Sequence, residues 1–361
     1  MNTLPSLIRR GTLTIAEQPP ANPTNLEFNQ YVIPLIGKDY PAKTAAMWNA
    51  AYEAMGLPIR NIMLVGSAKD LAEIYKTLAD DSKYLGGGVG VGLKDESLPY
   101  LDELDSTAEE AGSVNFIRRV NGGSLRGYNT DGIGYAQGLA DLLQKRGTTL
   151  AGKKVVMLGA GGTASSIGIA LADQQVELVI LNRTVETAKQ LAQRINAHVE
   201  KKYHPIARFF RKIGRLIHFP MHTTVRFGGE DSIPHEIRNA DVVANVSSKG
   251  EVGQLADYSA LAPAILPPTP QNIAQNRAVS KAMLSGMMPH VIISDIVIRK
   301  GELTPTLQDA AAMGYITQDG LPMVINQGVK AFWILHGEEL AKKNVSETEI
   351  QTIMTKAATN S

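Results

Sequence analysis

The stretch Val155-Val156-Met157-Leu158-Gly159-Ala160-Gly161-Gly162-Thr163-Ala164 decides the fold. A short, β-branched apolar run enters glycines, and small helix-compatible residues follow. A strand that turns into a helix in this way presents backbone N–H groups at the helix start, where they can face a pyrophosphate. Gly159, Ala160, Gly161, Gly162 and Thr163 are therefore the candidate phosphate-facing groups. About twenty residues on, a second apolar run, Leu178-Val179-Ile180-Leu181, ends in Asn182-Arg183-Thr184. That is where a dinucleotide-binding unit reads the 2′ position of the adenosine ribose. The plain alternative is a glycine turn in some other α/β unit; the flanking strand and helix and the polar-basic strand end favour dinucleotide binding.

An acidic residue at the second strand end would accept from a ribose 2′-hydroxyl and repel a 2′-phosphate. This chain offers Asn182, Arg183 and Thr184 instead, with Lys189 on the next helix. Arg183 suits charge-assisted hydrogen bonds to phosphate, so NADP is the expected cofactor and NAD the alternative. Glu186 has the opposing sign, but it also suits the first turn of a helix, where the macrodipole favours a carboxylate.

Bulk properties bound the rest. A chain of 361 residues, 44% apolar, accommodates two ordinary domains, each with its own core. Thirty-six basic against 35 acidic side chains leave a net charge of +1, and no overall field draws the chain to nucleic acid or anionic membrane. With no cysteine, disulfides, thiolate nucleophiles and cysteine-held metals are excluded. The first twenty residues lack a continuous apolar segment and no apolar run approaches bilayer length, so a cytoplasmic enzyme without an integral membrane segment is expected. Its partner would be a small molecule, and a homodimer is among the assemblies admitted. No metal site is expected: His218 and His222 stand four apart, but Pro220 between them spoils a shared helical face.

Along the chain, residues 1–30 are polar and proline-bearing and read as an extension or an irregular arm. A strand at 31–36, a helix near 42–55 and a helix over 68–80, marked by Leu71, Ile74, Tyr75 and Leu78, follow. Gly86 to Gly92 is a permissive backbone stretch ending in Leu93-Lys94. Strands of the nucleotide unit are placed at 154–159, 177–182, 242–246 and 290–296, and a late helix carries Val324, Gln327, Gly328, Ala331, Phe332 and Leu335. Two segments look like additions. Over 200–222 an apolar stripe of Ile206, Phe209, Phe210, Ile213, Leu216 and Ile217 opposes a basic face, which fits a membrane surface, a partner or packing on its own chain. The second, 254–282, is proline-rich and reads as a long surface loop.

Beyond the glycine turn, Ala111-Gly112-Ser113-Val114-Asn115 and Gly127-Tyr128-Asn129-Thr130-Asp131-Gly132 precede it, and Asn245-Val246-Ser247, Asp319-Gly320-Leu321-Pro322-Met323 and Asn326-Gln327-Gly328 follow. In this order the blocks resemble the shikimate/quinate dehydrogenase family, over about residues 30–340. The resemblance implies an α/β fold in two domains: a substrate-binding domain over 30–130, completed by C-terminal helices within 321–361, and a Rossmann-type NAD(P)-binding domain over 131–320. It implies reversible hydride transfer between NADP and a ring hydroxyl of a cyclic hydroxy acid, with Lys94 and Asp131 as the catalytic pair. Thr44, Asn115 and Gln327 correspond to substrate-binding positions, and Ser247, Gly320 and Met323 to positions near the cofactor. The plain alternatives are a solvated surface lysine for Lys94, a capping aspartate for Asp131, and backbone capping for Asn115 and Gln327.

The chain departs from the family pattern where substrate is held. The family's Ser-Leu-Ser-Pro falls on Ala42-Lys43-Thr44-Ala45, its Asn-Val-Thr-x-Pro-x-Lys on Gly88 to Lys94, and a usual tyrosine on Ile298. A lost polar contact removes roughly 0.5–1.5 kcal/mol. An altered ring substrate, quinate included, and a catalytically weak nucleotide-binding sensor or scaffold therefore stand beside shikimate oxidation.

Overall fold

The computed structural model describes residues 3–16, 29–37, 43–212 and 224–360, and over 204–212 the backbone alone. The elements run α1 (Leu4–Arg9), β1 (Leu13–Ile15), β2 (Gln30–Val32), β3 (Leu35–Ile36), α2 (Thr44–Ala54), β4 (Ile59–Asn61) and β5 (Leu64–Gly66). Then come α3 (Leu71–Asp80), β6 (Tyr84–Gly88), β7 (Glu103–Leu104), α4 (Ser106–Ala111), β8 (Phe116–Arg119), β9 (Leu125–Tyr128) and α5 (Asp131–Gln144). The middle of the chain holds β10 (Lys154–Leu158), α6 (Gly162–Asp173), β11 (Glu177–Leu181), α7 (Val185–Lys212), β12 (Arg226–Gly228), α8 (Ile233–Glu236) and β13 (Val242–Asn245). It closes with α9 (Pro270–Ser285), β14 (Ile292–Asp295), α10 (Pro305–Ala312), β15 (Ile316–Gln318), α11 (Leu321–Lys342) and α12 (Glu347–Asn360).

Two units result: Met1–Gly134 with Val324–Ser361, and Tyr135–Met323. In the second, six parallel strands lie in the order β12-β11-β10-β13-β14-β15. Counted within the unit this is 3-2-1-4-5-6, the doubly wound order whose switch point falls between β10 and β13. The alternation of side chains explains why its strands read as unbroken apolar runs. Val155, Met157, Leu178 and Ile180 enter one core, and Val156, Leu158, Val179 and Leu181 the other, so both faces are buried.

The first unit has a mixed six-stranded sheet, β4-β2-β6-β8-β9-β7, and a small sheet, β1-β5-β3. On one side Leu71, Ile74, Tyr75 and Leu78 of α3 share a core with Tyr31, Tyr84 and Ile117. The adjacent residue of β8, Phe116, points the other way, into an aromatic cluster with Trp48 of α2 and Phe332 of α11. That cluster includes His336, whose Nε2 lies 3.0 Å from the Tyr52 hydroxyl. Burial lowers the His336 pKa to about 4. The neutral ring is therefore the folded form, and its contribution to stability is complete above the unfolded value near 6.5 and is lost as pH falls toward 4. Tryptophan fluorescence, which reports Trp48 and Trp333 of this unit, is expected to show a lower denaturation midpoint at pH 4.5 than at 6.5. The fall should be smaller in His336→Gln; an equal fall in both chains would remove His336 as its source.

Several expectations need correction. The N-terminal segment is not an irregular arm over its described part: α1 buries Leu4 and Leu7, and β1 buries Leu13 against β5. Three leucines, each contributing roughly 1.5–3 kcal/mol on full burial, offset the ordering of these short elements. The 254–282 segment is not a surface loop. Tyr258, Ser259, Leu261 and Ala262 are buried, and residues 270–282 belong to α9, which opens with Thr269 accepting from the Asn272 N–H and Pro270 in the first turn. The three-residue strands β12 and β15 are additional to those expected. Residues 201–212 continue α7, while the stripe from Ile206 to Ile217 lies outside the described side chains, as do Ala42, His218 and His222.

Candidate functional site

The first unit gathers its polar candidates at the ends of three strands. Lys94 follows β6, Asn115 precedes β8, and Asp131 opens α5 just after β9. In β6, Gly86 has a φ of +148°, and a Cβ on Gly87 would overlap the carbonyl oxygen of Ile33, the residue after β2. Val89 N–H then donates to the Asn115 carbonyl at 2.7 Å, bringing the two loops together.

Lys94 Nζ donates to Asp131 Oδ2; the lysine side chain is 23% exposed and that of the aspartate 1%. Asn115 Nδ2 lies 2.9 Å from Asp131 Oδ1, 2.9 Å from Gln327 Oε1 and 3.0 Å from Thr130 Oγ1. An amide has two N–H bonds, so these three acceptors compete and one is left for another donor. The Asn115 side-chain oxygen, Oδ1, accepts the Thr130 backbone N–H at 2.8 Å, which fixes the amide orientation. Thus Lys94, Asp131, Asn115 and Gln327 form one hydrogen-bonded group.

Two members were not singled out by sequence. Thr130 donates from its hydroxyl to the Gln327 carbonyl at 3.1 Å, and Asn129 Oδ1 accepts the Asp131 N–H at 3.1 Å. Both stand inside the Asn-Thr-Asp-Gly block, which was the available signal. Thr44 is the first residue of α2, after the Lys43 N-cap. The neighbouring Lys43 reaches away, its Nζ donating to the Ala358 carbonyl at 2.8 Å near the C-terminal end of α12.

In the second unit the glycine turn lies at the switch point. Gly159 has a φ of +120°, and a Cβ there would stand 2.8 Å from Ser247 N and 2.9 Å from Val246 O. Gly161 is the N-cap of α6, and no side chain caps that helix. A Cβ on Gly161 meets no atom within 4 Å. First-turn N–H groups of a helix have no partners within it. Together with Gly162 and Thr163 in that turn, and Ala160 leading into it, the turn fits a pyrophosphate.

Asn182 is held by its N–H to the Gly228 carbonyl and by Nδ2 to the Thr184 carbonyl. Arg183 is exposed, and Glu186 sits in the first turn of α7 with Lys189 Nζ 3.4 Å away. Ser247 is a turn brace: its hydroxyl donates to Asn245 Oδ1 at 2.7 Å. Asn245 in turn donates to Asp295, which also accepts from Thr304 and from the Val297 N–H. Burial pushes the Asp295 carboxyl up to about 7 against these bonds. Gly320 is required where it stands, because a Cβ would overlap the Ile296 carbonyl, and Met323 is buried in the first turn of α11. Among the described residues no helix is long and apolar enough to cross a membrane, and no cluster of three His, Cys, Asp or Glu offers a metal site.

Comparison with known families and solved structures bears on the family and the fold. The family pattern described as Shikimate / quinate 5-dehydrogenase matches residues 141–216, and that of the shikimate dehydrogenase substrate binding domain matches 36–117. Shikimate dehydrogenase (NADP(+)) of Alkaliphilus metalliredigens (strain QYMF) is 31% identical over 320 residues, covering 86% of this chain and 92% of that protein. A crystal structure of shikimate dehydrogenase in complex with NADP+ superposes with a TM-score of 0.69 at 25% identity, over 94% of this chain and 99% of the other. In fold the chain is also similar to the ligand-free 5-ketofructose reductase of Gluconobacter sp. strain CHM43, with a TM-score of 0.64 at 24% identity, over 92% and 98% of the two chains. These matches, which run along most of the chain, place it in the shikimate/quinate 5-dehydrogenase family.

Proposed function

We propose that this chain is an NADP-dependent dehydrogenase that interconverts a ring hydroxyl of a shikimate-type cyclic hydroxy acid and the corresponding ketone. The observation that carries the reading is the Lys94–Asp131 pair, with Asn115 and Gln327 one hydrogen bond away. Bound NADP supplies the hydride acceptor at nicotinamide C4. As hydride leaves the carbinol carbon, the hydroxyl proton must leave too; the Lys94 amine takes it and becomes the ammonium that Asp131 holds. Asn115 and Gln327 offer amide groups that donate and accept, which suits ring hydroxyls. Substrate binding is assigned to the first unit, and cofactor binding to the second through Gly159–Thr163, Asn182–Thr184, the Ser247 loop, Gly320 and Met323.

The direct test offers shikimate and quinate separately to the purified chain with NADP and follows NADPH absorbance. Turnover with shikimate supports the reading. Turnover with quinate alone moves the substrate within the family. NADP binding without turnover of either, or of related cyclic hydroxy acids, would sink it in favour of a binding role.

Two variants examine the parts. Arg183→Ala should weaken NADP by about tenfold or more while changing NAD by less than about twofold, because only NADP carries the 2′-phosphate. Equal losses, measured by titration of each cofactor, would remove that role. Gly88→Asn restores the amide of the family pattern. A Cβ at Gly88 stands 3.7 Å from its nearest neighbours, Asn115 O and Pro34 Cβ, so the side chain has room to start. The expected result is a lower KM for shikimate at unchanged folding midpoint; a raised KM would mean that the substrate approaches this glycine.

A further inference from the structure

The second unit buries a lysine that the reaction does not use. Lys249 lies two residues beyond Ser247 in the loop after β13, and its backbone N–H donates to the Ser247 hydroxyl at 3.3 Å. Its Nζ stands 2.5 Å from Glu230 Oε1 and 2.7 Å from the Ala262 carbonyl, and the Lys249 and Glu230 side chains are 11% and 19% exposed.

Glu230 follows β12 by two residues. The last residue of that strand, Gly228, accepts the Asn182 N–H, so Glu230 and Arg183 leave neighbouring strands at the same end. A carboxylate there has the sign that opposes a 2′-phosphate. Lys249 comes from the other side: with strand order β12-β11-β10-β13, its ion pair spans the ends of β10 and β11. The Arg183 charge reaches this pair. Burial lowers the Lys249 pKa, Glu230 opposes that change, and Arg183 adds to it.

We infer that Lys249 is a specificity-determining residue for the cofactor: by neutralising Glu230 it keeps the Arg183 edge net positive and so favours a dinucleotide with a ribose 2′-phosphate. The inference rests on the cofactor reading above. Arg183, Lys249 and Glu230 together carry one net positive charge. Removing the lysine charge leaves none, removing the glutamate charge leaves two, and removing both restores one.

The test is the ratio of NAD to NADP dissociation constants for the intact chain, measured by calorimetric titration in wild type, Lys249→Met, Glu230→Gln and the double variant. A unit charge within about 10 Å of a phosphate changes its binding on the order of tenfold at an effective dielectric of about 20. Lys249→Met should lose about tenfold of its NADP preference, Glu230→Gln should gain preference, and the double variant should return to the wild-type ratio. A bridge that serves folding alone predicts something different: the double variant stays as poor as Lys249→Met, and both cofactors weaken alike. Either result overturns the inference. Should Lys249→Met fail to fold, Glu230→Gln alone decides, since an unchanged or reduced NADP preference there has the wrong sign. A wild-type chain that prefers NAD overturns the cofactor reading itself; a wild-type preference for NADP with ratios unmoved by the variants overturns only the role of Lys249.

Discussion

Lys94→Ala is expected to lower kcat by about 10²–10⁴-fold while NADP affinity stays within about twofold of wild type. The size follows from what the lysine touches. Its ammonium is paired with a carboxylate that is almost wholly buried, and the same carboxylate accepts from Asn115. Removing the amine takes away proton transfer, which belongs to the transition state, and leaves the cofactor cradle in the other unit with its own bonds. Asp131 is also left as a buried carboxylate without its cation, so some loss of stability accompanies the loss of rate. The loss of rate should persist at saturating substrate. Steady-state kinetics together with an NADP titration separate the outcomes: if NADP affinity collapses and kcat survives, Lys94 is not the proton-transfer group.

The second large effect is on folding. Gly87→Ala is expected to destabilise the first unit by about 3–5 kcal/mol, because the new Cβ would fall on the Ile33 carbonyl oxygen and lie 3.0 Å from the Ile33 nitrogen. These are backbone atoms, and no rotamer change relieves the overlap. The strands must part, although Ile33 N–H donates to the Gly86 carbonyl at 2.8 Å where β2 and β6 meet. Gly88→Ala is the control, since a Cβ there meets only ordinary contacts. Denaturation followed by tryptophan fluorescence should show a much lower midpoint for Gly87→Ala than for Gly88→Ala. Matching midpoints would mean that β6 shifts cheaply. Because β6 leads into the Lys94 loop, a folded Gly87→Ala chain should also lose activity.

The glycine run shows how far local reading carries. Its permissiveness was visible in the letters, but permissiveness has two uses, open space and close approach. Gly87 serves close approach, whereas Gly161 leaves room above the helix start. A sequence contains no neighbour across a sheet, so it cannot separate the two. The same reason accounts for the error over 254–282. Asn276 and Ser280 look like surface residues on a weakly apolar helix, yet Asn276 bonds the Ser259 backbone and Ser280 the Ser259 hydroxyl, all of them buried. Polarity predicts exposure only until a distant partner satisfies the group. Lys43 is a related case: the carbonyl that its ammonium meets is 315 residues away, and spacing along the chain does not give that direction.

By itself the sequence determined the parts whose physics is local. Apolar runs ended by glycine specify strands and turns, the polar-basic end of β11 specifies the sign of charge offered to a cofactor, and the ordered blocks specify the family. Only the tertiary structure decided that Lys94 meets Asp131 across 37 residues, that Thr130 joins Asn115 to Gln327, and that Lys249 pairs with Glu230. Backbone periodicity is written along the chain, whereas a buried polar group finds its partner through packing, which brings together residues that no spacing relates.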